Sequence, residues 1–320
     1  MKQLKMVFMG TPEFALPSLD LLNLSLHSLA AVVTSPDRHA GRGRRMLASP
    51  VKKWAVKNEV DLCQPEKTGE STFYSLLEQI APDLIVTVAY GKLLPGRILS
   101  LPPLGCINLH ASYLPAYRGA APIQRAVMEG AGFSGVSVIE MTAELDAGDI
   151  IMQEKETISP YDTAGMLHDR LAVRGASLLE KAVRAIAEGR VIKQPQDHAR
   201  ASYAPPLTKK DEVIDWNRSP LELYNQIRGL NPKPGAHTLF KGRRLKVLRA
   251  AFPDENKAAA GKLQPGTVIA VGEKSLTVAA GAGMLTLIDL QPAGKKPMNA
   301  ASFCCGYRIE PGDRLGGEQE

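Results

Sequence analysis

The sequence predicts an α/β protein: a Rossmann-like, mostly parallel sheet domain, followed by a small β-barrel domain. Three observations carry this. Short apolar segments alternate with helical ones through the first 190 residues, the pattern of helices laid on a parallel sheet. After Gly189 the chain turns polar, with Pro195, Pro205 and Pro206 breaking any regular element. Beyond that stretch, short strand-like runs recur between turn signals, as they do in a small barrel. The division expected is a catalytic domain over 1–190, a linker over 191–210 and a second domain over 211–320.

Lys5 to Met9 reads as a buried first strand, and Pro12 to Leu24 as a helix with apolar positions at helical spacing. Ala30 to Thr34 is a second strand. It empties into a Gly/Pro/Arg-rich segment from Ser35 to Arg45, which is expected to be an irregular loop. Val51 to Asn58 resumes a helix. Leu84 to Ala89 and Gly105 to Leu109 are further core strands, and Phe133 to Glu140 alternates as a strand does. Thr163 to Glu188 is a long amphipathic helix stopped by Gly189. In the second domain, a helix over Pro220 to Arg228 precedes strands at Ala236–Phe240, Arg244–Ala250, Gly266–Ala270, Ser275–Ala279 and Leu285–Leu290. The first strand-to-helix turn, Gly10-Thr11-Pro12-Glu13-Phe14, lacks the Gly-x-Gly-x-x-Gly of a dinucleotide site, so no nicotinamide or flavin dinucleotide is expected.

A chain of 320 residues with 44% hydrophobic and 22% charged content is ordinary for a soluble globular protein. No stretch approaches the ~20 apolar residues of a membrane span, and no signal-peptide core opens the chain, so a cytoplasmic protein that meets no membrane is expected. The four cysteines (Cys63, Cys106, Cys304, Cys305) have no Cys-x-x-Cys spacing and read as reduced thiols. The six histidines show no metal-ligand spacing, so no metal is expected.

The net charge of +6 is unevenly spread. From Arg38 to Asn58 there are seven basic residues and no acidic one, and from Leu223 to Pro253 seven more, again with no carboxylate. Together they hold 14 of the 39 lysines and arginines. A solvated face explains either zone alone. The pair fits a phosphate-bearing partner, since each neutralised phosphate releases a counterion.

Asn108 and His110 lie two apart at the end of a predicted strand, so both side chains share one face. Asp146 follows another strand on a glycine-bearing loop. The carboxyl ends of strands are where ligands bind in an open α/β sheet. An amide, an imidazole and a carboxylate there suit acyl transfer: the amide holds a carbonyl oxygen, the imidazole stabilises an oxyanion, and the carboxylate orients the imidazole or moves a proton. Spacing alone leaves open a hydrogen-bonded structural His110, an Asn108 that caps a turn and an ordinary turn at Asp146–Gly148.

Asn108-x-His110 with Ser112-Tyr113-Leu114-Pro115, Arg118-Gly119-Ala120-Ala121-Pro122 and Leu145-Asp146-x-Gly148-Asp149 resembles the folate-dependent formyltransferases. Gly10-Thr11-Pro12-Glu13-Phe14-Ala15, Pro36-Asp37-Arg38, Gly41-Arg42-Gly43, Ala89-Tyr90-Gly91, Tyr203-Ala204, Ile214-Asp215-Trp216 and Leu290 to Lys296 resemble the branch of that family that acts on methionyl-tRNA. The resemblance implies that Asn108, His110 and Asp146 form the catalytic trio and that no covalent enzyme intermediate arises. It implies a 10-formyltetrahydrofolate cosubstrate held by Tyr90, Lys92, Leu93 and Leu94, by Ser112, Tyr113, Leu114 and Pro115, and by the loop from Glu140 to Asp146. It also implies an OB-like second domain and an initiator methionyl-tRNA partner. The segment Ser35 to Pro50 would enter the acceptor arm through Arg38, Arg42, Arg44 and Arg45, and Lys209, Arg243, Arg244 and Lys246 would meet the RNA backbone.

Tyr113, Pro206 and Lys233 depart from the family pattern and bear respectively on folate affinity, linker contacts and an apolar anchor. A small-amine formyltransferase or a formyltetrahydrofolate hydrolase would share the trio, whereas the arginine-rich loop and basic second domain favour RNA. An RNA-binding protein with a dead catalytic fold fits poorly, because all three polar residues are retained. A monomer is the plainest expectation.

Overall fold

The structure, a computed structural model, describes residues 2–40, 45–253, 263–281 and 283–316. It divides into two compact units. The first comprises residues 1–122, 134–156 and 168–205, and the second 123–133, 157–167 and 206–320. Two short segments inside the first 190 residues thus pack within the second unit, an excursion that a linear reading of the chain does not reveal.

The first unit is built on a seven-stranded sheet: β1 (Lys5–Gly10), β2 (Ser28–Val33), β3 (Leu62–Cys63), β4 (Leu84–Val88), β5 (Cys106–His110), β6 (Phe133–Glu140, counted from Ser134 in this unit) and β7 (Ile150–Thr157, to Glu156). The order is β7-β6-β5-β4-β1-β2-β3. The pairs β1–β2, β1–β4, β2–β3 and β4–β5 are parallel, and β5–β6 is antiparallel. Burial explains the pattern: Met6 to Met9 and all of Leu84–Val88 are buried, as central parallel strands covered on both faces require. Strand β7 was not predicted. Its residues Gln153, Glu154 and Lys155 are only partly buried or exposed, since it lies at the sheet edge where no apolar alternation is needed.

Of the helices, α1 (Leu16–Asn23) follows a 3₁₀ turn at Glu13–Ala15. Helix α2 (Pro50–Lys57) starts with Ser49, whose hydroxyl accepts from the Lys52 N–H at 3.0 Å, with Pro50 at the first position. Helix α3 (Ser71–Ile80), unpredicted, buries Phe73 and Leu77. The expected irregular segment after β2 is corrected: Arg38–Ala40 and Arg45–Leu47 pair as an antiparallel ribbon. The arginine-rich composition hides it, because main-chain pairing in a two-stranded ribbon asks little of side-chain hydrophobicity.

In the second unit, β8 (Ala236–Phe240), β9 (Arg243–Ala250), β10 (Val268–Val271), β11 (Leu276–Ala280) and β12 (Gly283–Pro292) form an antiparallel sheet in the order β8-β9-β12-β11-β10, with Met298–Asn299 added to β12. The C-terminal segment links the two edges. Val268 N–H donates to Asp313 O and Leu315 N–H to Gly266 O on one side, while Gly316 N–H donates to Leu239 O on the other. A helix over Pro220–Gly229 is opened by a capping box between Ser219 and Glu222. It packs Leu223, Tyr224 and Ile227 into a core with Val247, Leu287 and Phe303. Among the described residues no helix is long and apolar enough to cross a membrane.

Candidate active site

The chain runs from β1 outward to β2 and β3, then returns to β4 and β5 on the other side of β1. The crevice at the carboxyl ends of β1 and β4 is therefore the switch point where such sheets bind ligands. Gly10 closes β1 there. An added Cβ would lie 2.8 Å from the Phe8 ring and 2.9 Å from Val88 O, so only glycine lets the strands meet so closely. Thr11 Oγ1 donates to Tyr90 O at 3.3 Å and ties the two strand ends together.

Asn108 and His110 follow on β5. Thr87, opposite Asn108 in the β4–β5 register, places its hydroxyl 2.7 Å from Asn108 Oδ1. With the amide oxygen turned to that hydroxyl, Nδ2 is the donor the side chain can offer a ligand. His110 is buried, and its Nε2 lies 2.9 Å from Tyr117 O. A carbonyl only accepts, so Nε2 carries the proton. Nδ1 lies 3.5 Å from Asp146 Oδ2 and can donate to it only when the ring gains a second proton.

Asp146 sits in the left-handed region (φ 52°), unusual for a side-chain-bearing residue. Its Oδ2 accepts the Gly119 N–H at 2.9 Å. The loop is pressed onto the end of β6: a Cβ on Gly148 would lie 1.9 Å from Glu140 O. His110 and Asp146 thus meet, and Asn108 stands two residues from His110 on the same face of β5.

The other expected site residues divide by environment. Tyr90 is buried and its phenol has no hydrogen-bond partner among the described residues; burial pushes its pKa up to about 12. Leu93 is exposed and Leu94 buried. Lys92 Nζ donates to Pro65 O and Glu66 O at 2.7 and 2.8 Å, so its charge is spent on main-chain carbonyls. Ser112 is buried with its hydroxyl on Ala116 O, and Leu114 packs with Ile139 and Ile150. The Lys155 ammonium stands 5.1 Å from the Tyr113 ring centre, and a cis bond joins Leu114 to Pro115.

Arg38 is exposed on the ribbon that Arg45 also joins, while Arg42 and Arg44 lie outside the described residues. In the second unit, Lys209 and Arg243 are exposed. Arg244 Nη2 donates to Glu212 Oε2 at 2.8 Å and approaches His237 Nδ1 at 3.0 Å, and Lys246 Nζ donates to Pro234 O at 2.6 Å. Arg228, counted in the second basic zone, is buried and donates to Ser159 O, Asp162 O and Asn225 Oδ1. It braces the unit and does not face solvent.

Sequence reasoning passed over Thr87 and Gln196. Thr87 carries no signal beyond its place on a buried strand. Gln196 falls in the polar stretch read as linker, yet it is 6% exposed and bonded to the Asp146 loop.

A Rossmann-like sheet with no dinucleotide glycines and an amide, an imidazole and a carboxylate at its carboxyl edge is a site suited to acyl-group transfer. Residues 4–183 match the formyl transferase model and residues 206–308 the formyl transferase C-terminal domain. The chain is 49% identical to the methionyl-tRNA formyltransferase of Moorella thermoacetica, over 98% of this chain and 99% of that protein. It is 41% identical to that of Bacillus subtilis over 99% of each. The sugar 3N-formyl transferase WlaRD, solved with dTDP and 5-N-formyl-THF, superposes with a TM-score of 0.63 at 18% identity, covering 92% of this chain and 100% of that one. HypX from Aquifex aeolicus in complex with tetrahydrofolic acid superposes with a TM-score of 0.64 at 16% identity, covering 100% of this chain and 52% of that one. The chain belongs to the formyl transferase family. It is a formyl-transferring enzyme that uses a formyl-tetrahydrofolate donor.

Proposed function

We propose that this enzyme moves the formyl group of 10-formyltetrahydrofolate to the α-amine of initiator methionyl-tRNA, with Asn108, His110 and Asp146 as its catalytic residues. The observation that carries the assignment of the trio is the approach of His110 Nδ1 to Asp146 Oδ2 at 3.5 Å beside the Asn108 amide, which Thr87 holds by a 2.7 Å hydrogen bond. The near-full-length likeness to methionyl-tRNA formyltransferases supports the acceptor.

Asn108 Nδ2 donates to the formyl oxygen as negative charge develops there. His110 lies beside it and carries positive charge when its second nitrogen is protonated, which adds to the same stabilisation. Asp146 receives the proton released by the attacking amine, directly or through His110 Nδ1, and returns it to the departing folate nitrogen. No side chain needs to form a covalent bond. The unpartnered phenol of Tyr90, at the switch point, is a polar atom that a pterin ring can satisfy. The ribbon bearing Arg38 and Arg45, with Arg42 and Arg44 between, and the exposed Lys209 and Arg243 supply charge for the RNA backbone. The enzyme acts as a cytoplasmic monomer.

The test offers three acceptors with 10-formyltetrahydrofolate: initiator methionyl-tRNA, glycinamide ribonucleotide and a nucleotide-linked amino sugar. Formylation of the first alone is expected. Turnover on either small amine with none on the tRNA would overturn the acceptor, and release of formate with no acceptor formylated would make the protein a hydrolase.

A further inference from the structure

Gln196 joins the two chain segments that hold the Asp146 carboxylate. Its Nε2 donates to Asp146 O at 2.8 Å and to Gly148 O at 2.7 Å. Its Oε1 accepts from Arg118 Nε at 3.1 Å and Nη2 at 2.7 Å. A guanidinium has donors only, so Arg118 leaves the amide a single orientation, with its NH₂ aimed at the two loop carbonyls. The residue after Arg118 then closes the circuit, since Gly119 N–H donates to Asp146 Oδ2. The side chain of 118 thus fixes the Asp146 backbone through Gln196, while the main chain of 119 fixes its carboxylate.

All these groups lie inside the first unit. Arg118 is 3% exposed and Gln196 6%. Among the described residues, the guanidinium's side-chain hydrogen bonds go to the Gln196 amide and, at 3.4 Å, to His198 Nδ1, with no carboxylate. Placing a buried charge against neutral acceptors is a costly arrangement for stability alone. It is well suited to holding an amide in one flip. The loop it holds needs holding, because Asp146 occupies a left-handed conformation.

We infer that Gln196, oriented by Arg118, is a positioning residue that sets the Asp146 carboxylate against His110 for formyl transfer. The inference rests on the proposed role of Asp146. It predicts a change in the chemical step, with little change in binding of either substrate. Misplacement of a catalytic group by ~1 Å costs on the order of 100-fold.

The experiment measures kcat, KM for both substrates and the pH dependence of kcat in the wild type, Gln196→Ala and Gln196→Glu, with methionyl-tRNA binding followed separately by filter retention. Gln196→Glu keeps an acceptor for Arg118, and so the local fold, but sets a carboxylate against the Asp146 and Gly148 carbonyls. Both variants are expected to lose 10- to 100-fold in kcat, with a displaced pH profile, KM values within about 3-fold and tRNA binding unchanged, on the scale of a misplaced catalytic group. A kcat within 3-fold of wild type in Gln196→Glu overturns the inference. So does a loss in both variants that tracks loss of tRNA binding, which is what a merely structural glutamine would give. An Asp146→Ala variant that keeps full turnover would instead remove the reading of Asp146 on which the inference stands.

Discussion

Gly148 offers a perturbation whose size follows from one distance. An alanine Cβ at 148 would lie 1.9 Å from Glu140 O and 2.9 Å from its carbonyl carbon, where real Cβ contacts hardly ever fall below 3.0 Å. Glu140 ends β6 in register with Ile107 of β5, and the next residue's N–H donates to Cys106 O at 2.8 Å, so the strand end cannot yield without disturbing the sheet. The loop must yield, by roughly 1 Å or more, and it carries Asp146 two residues away. Overpacking of this kind costs about 1–3 kcal/mol, which lowers Tm by ~2–4 °C per kcal/mol in a domain of this size. The larger effect falls on the rate. A displacement of about 1 Å at a catalytic group corresponds to ~100-fold in kcat. Steady-state transfer of labelled formyl to methionyl-tRNA, run beside thermal unfolding of Gly148→Ala, measures both. A variant with kcat within 3-fold of wild type would refute the claim that the loop's seat on β6 places the carboxylate.

Three further predictions concern other parts of the molecule. Burial pushes the Cys106 thiol up to about 12, so it stays protonated at neutral pH; thiol titration of the native protein should label the exposed Cys305 and leave Cys106 unreacted until the chain is unfolded. The hydrogen bond from Arg125 brings Asp211 down to about 2, below its ordinary 3.8. A depressed carboxylate contributes stability above the unfolded pKa and loses it as pH falls through the folded one. Urea unfolding should therefore show Arg125→Ala less stable than wild type by on the order of 1–2 kcal/mol at pH 7, a gap that closes between about pH 4 and pH 2; a gap constant with pH would show the pair to be inert. Finally, Arg243 is exposed whereas Arg244 is held by Glu212. Arg243→Ala should lower the salt slope of tRNA binding by about 0.7–0.9, and Arg244→Ala by less; equal slopes would mean that Arg244 leaves Glu212 on binding.

The sequence made the sheet legible where physics forces a pattern. Strands β1 and β4 are buried along nearly their whole length and so read as largely apolar runs. The capped starts of α2 and of the helix at 220 are written in Ser49-Pro50 and Ser219-Pro220. Edge and ribbon pairing is nearly silent, because a strand such as β7 or the pair 38–40 and 45–47 is held by main-chain bonds that no side-chain period betrays. The same holds for the site. Asn108 and His110 showed themselves through two-residue spacing at a strand end. Gln196 sits in a proline-flanked polar stretch, and its burial depends on where the chain after Gly189 returns across the sheet edge, with Gln194 bonded to Ile150. Only the assembled fold brings it to Asp146.

The central claim is that Asp146, seated against His110, carries the proton in formyl transfer, and single-turnover kinetics with saturating enzyme test it most directly. Asp146→Ala should bind initiator methionyl-tRNA as the wild type does, with the rate of N-formylmethionyl-tRNA formation reduced by at least about 1,000-fold, as expected for loss of general acid–base catalysis. An unchanged single-turnover rate, or a loss explained wholly by failure to bind the tRNA, would contradict it.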